Sequence, residues 1–384
     1  MSAALAPEAE RLARVGLAQL TEPGDPRVAA VVAEAGAQVL YADVLRQRAD
    51  RTTRQIREDA ESRLGGRDPA DELADAAKAG LRFVVPGDEE WPSQLEDLAH
   101  APALQQRGGP PLGLWVRGPV RLDTLAGSVA VVGSRSATSY GGDAAGLIAA
   151  VVARAGCPIV SGAAYGIDQA AHRGALGGGG TTVAVLACGA DRIYPEGHRD
   201  LLEHLAREGA VISETRPGGA PMRIRFLSRN RIIAALAAGT VLVEAAVRSG
   251  ALNTANWAGR LNRPVMGVPG PITSAPSQGV HQLLRSGAAT LVTSGSEVLD
   301  VVSPAGEHVV EEPRGRERSR DRLSSQDRQV LDAVPVRHGA GTHSIARAAG
   351  LAMLTVASAL ERLRGGGYVE KDEGGWRLAA LAHD

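Results

Sequence analysis

Short runs of β-branched and aliphatic residues recur from Ser128 onwards, and most are followed by Gly, Ser or Pro and then an Ala/Leu-rich stretch of helical character. The runs are Val129–Val132, Ile159–Val160, Thr182–Leu186, Ala210–Ile212, Val241–Val243 and Val265–Val268. Strands that alternate with helices pair in parallel through crossovers, which leaves few architectures open. The expected fold is α/β and doubly wound, a mostly parallel sheet with helices on both faces. Its ligand surface should lie beyond the carboxyl ends of the strands.

The flanks read differently, and 384 residues are enough for two or three domains. Residues 1–80 are helical, with apolar positions such as Leu12, Val15, Leu20, Val28 and Val32, and Pro23-Gly24-Asp25-Pro26 breaks the first helix from the second. No chemistry is visible there, and the acidic face reads as a solvated one. Strands are expected at Leu81–Val85 and Leu112–Val116. The alternating region, 81–302, gives way to a polar linker over 303–323. Residues 324–384 then show helices at Gln326–Ala333, His343–Ala348 and Met353–Leu363 and a hairpin around Glu373-Gly374-Gly375, a winged-helix pattern. Its candidate recognition helix carries only Arg362 and Arg364 beside Glu361, so contact with nucleic acid and contact with protein both stay open.

The formal charge of −1 conceals a segregation. Residues 1–100 hold 19 acids and 12 bases, whereas residues 215–296 hold nine arginines and one acid, Glu244. Lys78 and Lys371 are the only lysines, and neither lies in a Walker A loop or a neighbourhood suited to a pyridoxal enzyme. Cys157 and Cys188 cannot form a disulfide framework and read as small buried hydrophobes. His198-Arg199-Asp200-Leu201 copies the start of a kinase catalytic loop, but Leu205 stands where that loop needs Asn. Serine-hydrolase and zincin motifs are missing, and His172, His198 and His204 lack metal-ligand spacing. No catalytic residue, cofactor or metal is therefore expected. With neither a signal peptide nor a bilayer-spanning run, the expectation is a soluble cytoplasmic protein without a membrane partner.

Three stretches carry a possible function. Val129-Ala130-Val131-Val132-Gly133-Ser134-Arg135 leads a strand into a small-residue turn where a phosphate could approach backbone N–H groups and the Arg135 fork. Ser161-Gly162-Ala163-Ala164-Tyr165-Gly166-Ile167-Asp168 forms a second such turn, or simply a tight connection capped by Asp168. In Arg223-Ile224-Arg225-Phe226-Leu227-Ser228-Arg229-Asn230-Arg231, one of only two phenylalanines stands among four arginines. Single-stranded nucleic acid needs that combination, bases stacking on the ring while guanidinium groups hold phosphates. The alternative makes Phe226 a core residue at a solvated helix start.

These stretches, followed in order by VAVLACGADRIYPEGHRDL, ISETRPGG, VLVEAAVRSGALNTANWA and VMGVPGPITSAPSQGVHQLLRSGA, resemble the DNA-processing protein A (DprA/Smf) family over about Leu81 to Asp300. The resemblance implies an extended Rossmann-like domain after a helical N-terminal, SAM-like module. It also implies a non-enzymatic homodimer that binds single-stranded DNA, protects incoming DNA and loads RecA in natural transformation or related recombination. The DNA-binding residues implied are Gly133, Ser134, Arg135, Ser161, Gly162, Gly166, Arg223, Arg225, Phe226, Arg229, Asn230 and Arg231. Leu227-Ser228 and Ala163 depart from the family's usual residues. A competing enzymatic reading is a Rossmann-like nucleotide phosphoribohydrolase with Glu244 as base or ribose ligand, although its Pro-Gly-Gly motif is split between Pro217 and Gly239. A third reading is a regulator acting through the winged helix.

Overall fold

The computed structural model describes residues 6–46, 50–308 and 319–379, which divide into two compact units, Met1–Val310 and Glu311–Asp384. Residues 309–318 of the expected linker lie outside the described residues. The first unit opens with helices α1 (Glu8–Leu20), α2 (Pro26–Ala35), α3 (Ala37–Arg46), α4 (Arg51–Ala60) and α5 (Pro69–Lys78). Asp25, Asp50 and Asp68 cap α2, α4 and α5 by accepting backbone N–H bonds. Leu17, Leu20, Val28, Leu40, Val44 and Ile56 close a core between these helices. Ala6 and Val15 reach across to Phe83, Trp115 and Leu201, and so belong to the core of the sheet that follows.

That sheet has nine strands among the described residues: β1 (Leu81–Val84), β2 (Leu114–Arg117), β3 (Val129–Val132), β4 (Ile159–Ser161), β5 (Thr182–Val185), β6 (Ala210–Ser213), β7 (Gly239–Leu242), β8 (Val265–Gly267) and β9 (Thr290–Leu291). Their order is β1-β2-β6-β5-β4-β3-β7-β8-β9; at one edge β1 is antiparallel to β2 and β2 antiparallel to β6, and every other pair is parallel. The expected mostly parallel doubly wound sheet is thus present. Its helices are α6 (Ser139–Arg154), α7 (Ile167–Gly177), α8 (Arg199–Glu208), α9 (Arg223–Leu236), α10 (Ala251–Arg260), α11 (Gln278–Arg285) and α12 (Gly295–Val302). Along β3 the side chains alternate between two cores. Ala130 and Val132 join α9 and α10, while Val129 and Val131 join α6, α7 and α12. From β3 the chain winds outward through β4, β5 and β6, returns along α9, and winds the other way through β7, β8 and β9. The winding reverses between β3 and β7, which opens a crevice at their carboxyl ends.

The second unit packs α13 (Ser325–Asp332), α14 (Thr342–Ala349), α15 (Met353–Gly365) and the hairpin β10 (Val369–Asp372) and β11 (Gly375–Leu378) around Val330, Ile345, Leu360 and Trp376. Arg362 and Arg364 are engaged by Asp327 at 2.6 Å and Glu361 at 2.8 Å. Among the described residues no single helix is long and apolar enough to cross a membrane.

Candidate nucleic-acid interface

A cleft of about 980 Å³ occupies the crevice, walled by the turn after β3, the loop after β7, the start of α10 and one side of α9. The second half of α9, Ser228 to Leu236, is buried on every side, whereas its first turn faces solvent. No side chain caps that turn, and it holds Arg223 and Arg225 but no acid. The partial positive charge of that helix start therefore favours an anion from outside the chain. Phe226, half-buried, meets two guanidinium groups, Arg135 at 4.7 Å from the ring centroid and Arg229 at 6.0 Å. Arg135, Arg223 and Arg248 are exposed on the cleft walls, and none has an ion pair among the described residues.

Arg229 lies below them, 7% exposed, with Nη1 donating to the Val185 carbonyl at 2.8 Å and Nε without a partner. Burial pulls its pKa down to about 10, Asp168 opposing and Arg135 adding to the fall, so the group stays charged at neutral pH. Asp168, in the first turn of α7, accepts from the backbone N–H groups of Gly162 at 3.2 Å and Ala164 at 3.4 Å. Burial raises its pKa, while Arg229 and these donors act in the other direction. This corrects the expectation that the turns offer free N–H groups to phosphate. Those of Gly162 and Ala164 serve Asp168, and that of Ser134 serves the Glu244 carbonyl at 2.7 Å. Anion binding falls to the arginines. The glycines are needed for close approach: a Cβ on Gly162 would sit 1.5 Å from Arg229 Nη1, and one on Gly166, at φ +76°, would sit 2.3 Å from the Ser134 carbonyl.

Residues 82–303 match the family model of DNA recombination-mediator protein A. The chain belongs to this family, DprA/Smf. A DprA protein of Mycobacterium tuberculosis is 42% identical over 370 residues, covering 94% of this chain and 92% of its own. Protein Smf of Escherichia coli is 38% identical over 218 residues, 56% of each chain. The crystal structure of Streptococcus pneumoniae DprA superposes with a TM-score of 0.63 at 30% identity, covering 78% of this chain and 99% of that one. DNA processing protein A from Helicobacter pylori, solved for its single-stranded DNA binding mode, gives 0.50 at 26% identity over 57% of this chain and 94% of its own.

Of the residues that the family resemblance marked, Gly133, Ser134, Arg135, Arg223, Phe226, Arg229 and Asn230 come together on the cleft, with Gly162 and Gly166 packed behind it. Three do not. Ser161 is buried, its hydroxyl donating to the Val131 carbonyl at 2.7 Å inside the sheet. Arg225 turns to the N-terminal helices and pairs with Glu22 at 2.8 Å. Arg231 is fully buried, paired with Glu214 through both terminal nitrogens at 2.6 and 2.7 Å. Glu244 is buried too, both carboxylate oxygens held by the Thr138 N–H and hydroxyl at 2.9 and 2.6 Å. Its carboxylate is turned to the start of α6 and does not line the cleft. Sequence reasoning missed Arg248 and Asn253. Asn230 donates to Asn253 and Asn253 to Gln105, at 3.3 and 3.2 Å, forming one wall. Arg248 was signalled by the arginine-rich stretch of residues 215–296, and Asn253 only by membership of VLVEAAVRSGALNTANWA.

Proposed function

We propose that the cleft binds single-stranded DNA and that the protein hands the strand to RecA recombinase during transformation or related recombination, acting as a binder and not an enzyme. The observation that carries this reading is Phe226 held against Arg135 and Arg229 at the winding reversal, a stacking surface set among unpaired guanidinium groups. A base stacks on the ring regardless of its identity, and Arg135 and Arg223 each hold a phosphate. The single-strand binding described for the Helicobacter pylori relative supports the same assignment. Duplex DNA stacks its bases internally and has none free for Phe226. In titrations with oligo-dT and with duplex of equal length, the wild type should prefer the single strand. Phe226→Ala and Arg135→Ala should each weaken oligo-dT binding at least about tenfold, the loss of Phe226 falling at the lower end of the range for one stacked base. Unchanged affinity in both variants would sink the assignment. The finer steps have separate readouts: nuclease protection of bound strand, RecA filament formation on coated strand, and sedimentation for the homodimer. We read the second unit as a winged helix and residues 1–80 and 81–302 as the SAM-like and Rossmann-like parts of the first.

A further inference from the structure

The family model begins at residue 82, so the N-terminal helices lie outside it. They nevertheless reach the helix that carries Phe226. Thr21–Asp25, the link between α1 and α2, runs along α9. Glu22 accepts from Arg225 Nε and Nη2 at 2.8 and 3.0 Å, and the Pro23 carbonyl accepts from Ser228 Oγ at 2.6 Å. The Gly24 N–H donates at 3.3 Å to Glu214, the partner of Arg231. Residues 225, 228 and 231 are three apart and share one helix face, whereas Arg223, Phe226 and Asn230 line the cleft from another. The first turn of α9 needs such a hold. It has no side-chain cap, and among the described residues the only hydrogen bonds made by its side chains are those of Arg225, to Glu22 and, through Nη1, to the Ala220 carbonyl at 2.7 Å just before the helix. An untethered helix start frays, and ordering it when a strand arrives costs affinity. Glu22 is itself anchored from the N-terminal side, by Arg63 at 2.7 Å. Burial pushes its carboxyl pKa up, but Arg225 and Arg63 outweigh burial and hold it below the ordinary value, so the pair is charged at neutral pH.

Resting on the single-strand reading above, we infer that Glu22 is a positioning residue for strand binding. It touches no DNA; through Arg225 it keeps the first turn of α9 wound, so that Phe226 and Arg223 meet the strand already in place. Arg225, marked by the family resemblance as a DNA ligand, works from behind the cleft, and the N-terminal helices become part of the binding apparatus. The sign of the effect separates this role from simple electrostatics. Removing a carboxylate near an arginine-lined cleft leaves the field more positive and ordinarily tightens DNA binding. Here its removal should loosen it.

The experiment titrates the full chain with oligo-dT over a salt series and reads urea midpoints on the same samples. Glu22→Ala should weaken binding about fivefold, the least that one stacked base is worth. Arg225→Gln should do the same while leaving the slope of log Kobs against log salt at its wild-type value, and it carries the test if Glu22→Ala does not fold. In the Phe226→Ala background, Glu22→Ala should cost about twofold at most, because the ring it positions is already gone. If Glu22→Ala binds oligo-dT as tightly as wild type, or more tightly, while Phe226→Ala is weakened, the positioning role is overturned and the cleft reading stands. A slope flattened by roughly 0.7 in Arg225→Gln makes Arg225 a phosphate ligand and also overturns it. So does full additivity of the two losses in the double variant, the mark of a site that does not act through Phe226. If wild type shows no oligo-dT binding, the cleft reading falls and the role of Glu22 with it.

Discussion

Four arginines on one helix meet four different fates. Arg223 faces the cleft, Arg225 pairs with Glu22, Arg229 lies beneath Phe226, and Arg231 pairs with Glu214. Helical periodicity cannot sort them, because α9 is enclosed on every side over its second half and its partners are remote: Glu22 is 203 residues away in sequence. Phe226 and Arg135 were legible since an aromatic ring among arginines has few structural uses, whereas a buried Arg–Glu pair leaves no mark in the sequence. The difference should show in variants. Arg231→Leu strands the mostly buried Glu214 carboxylate and should cost about 3–5 kcal/mol of stability, read from urea unfolding. Arg229→Leu removes a charge with no ion pair and one hydrogen bond, so it should leave stability nearer wild type while weakening oligo-dT binding. The reverse ranking would mean that the two arginines have been assigned the wrong roles. Gly162→Ala should copy the binding loss of Arg229→Leu, because its methyl group and the Arg229 guanidinium cannot share the site; normal binding by that variant would show that Arg229 is dispensable.

At the level of elements, the parallel strands were readable because a strand covered on both faces must be apolar throughout, and β-branched runs say so directly. Edge strand β9 was not, being two exposed residues, Thr290 and Leu291, with no apolar run to announce it. Helix α7 is tied to the sheet by a device that the sequence hid. His172 is fully buried and meets the Thr182 hydroxyl at 2.7 Å, while that hydroxyl donates to the Ile159 carbonyl at 2.8 Å. With the hydroxyl proton spent, Nδ1–H must donate, which leaves Nε2 bare and unpartnered. Burial, with smaller contributions from His198 and Arg229, pulls the pKa from 6.5 to about 3. The unfolded chain takes up this proton below about pH 6.5 and the folded chain does not until about 3. Stability should therefore be flat in this term above pH 6.5 and fall below it, by at most about 1.4 kcal/mol per pH unit. Urea midpoints at pH 7.5, 6 and 5 should drop less for His172→Gln than for wild type. Equal drops would show that His172 does not carry the acid sensitivity.

For the whole molecule, a charge of −1 says little about the field at the cleft. Part of the arginine excess of residues 215–296 is neutralised in place, Arg225 by Glu22 and Arg263 by Asp97, so some of the acidity of the first hundred residues holds helices to the sheet. What remains is concentrated. Arg135, Arg223, Arg229 and Arg248 all border the cleft, and all belong to the first compact unit. Each phosphate neutralised on a single strand contributes roughly −0.7 to the slope of log Kobs against log salt, so full engagement of these four gives a slope of about −3. The double variant Arg223→Gln/Arg248→Gln should flatten it by about 1.4. Deleting residues 311–384 should leave both slope and affinity near wild type, since the described residues that line the cleft belong to the first unit. A regulator reading DNA through its hairpin unit would behave in the opposite way, losing all binding on deletion and ignoring the two glutamines, so the pair of measurements assigns the binding surface to one unit or the other.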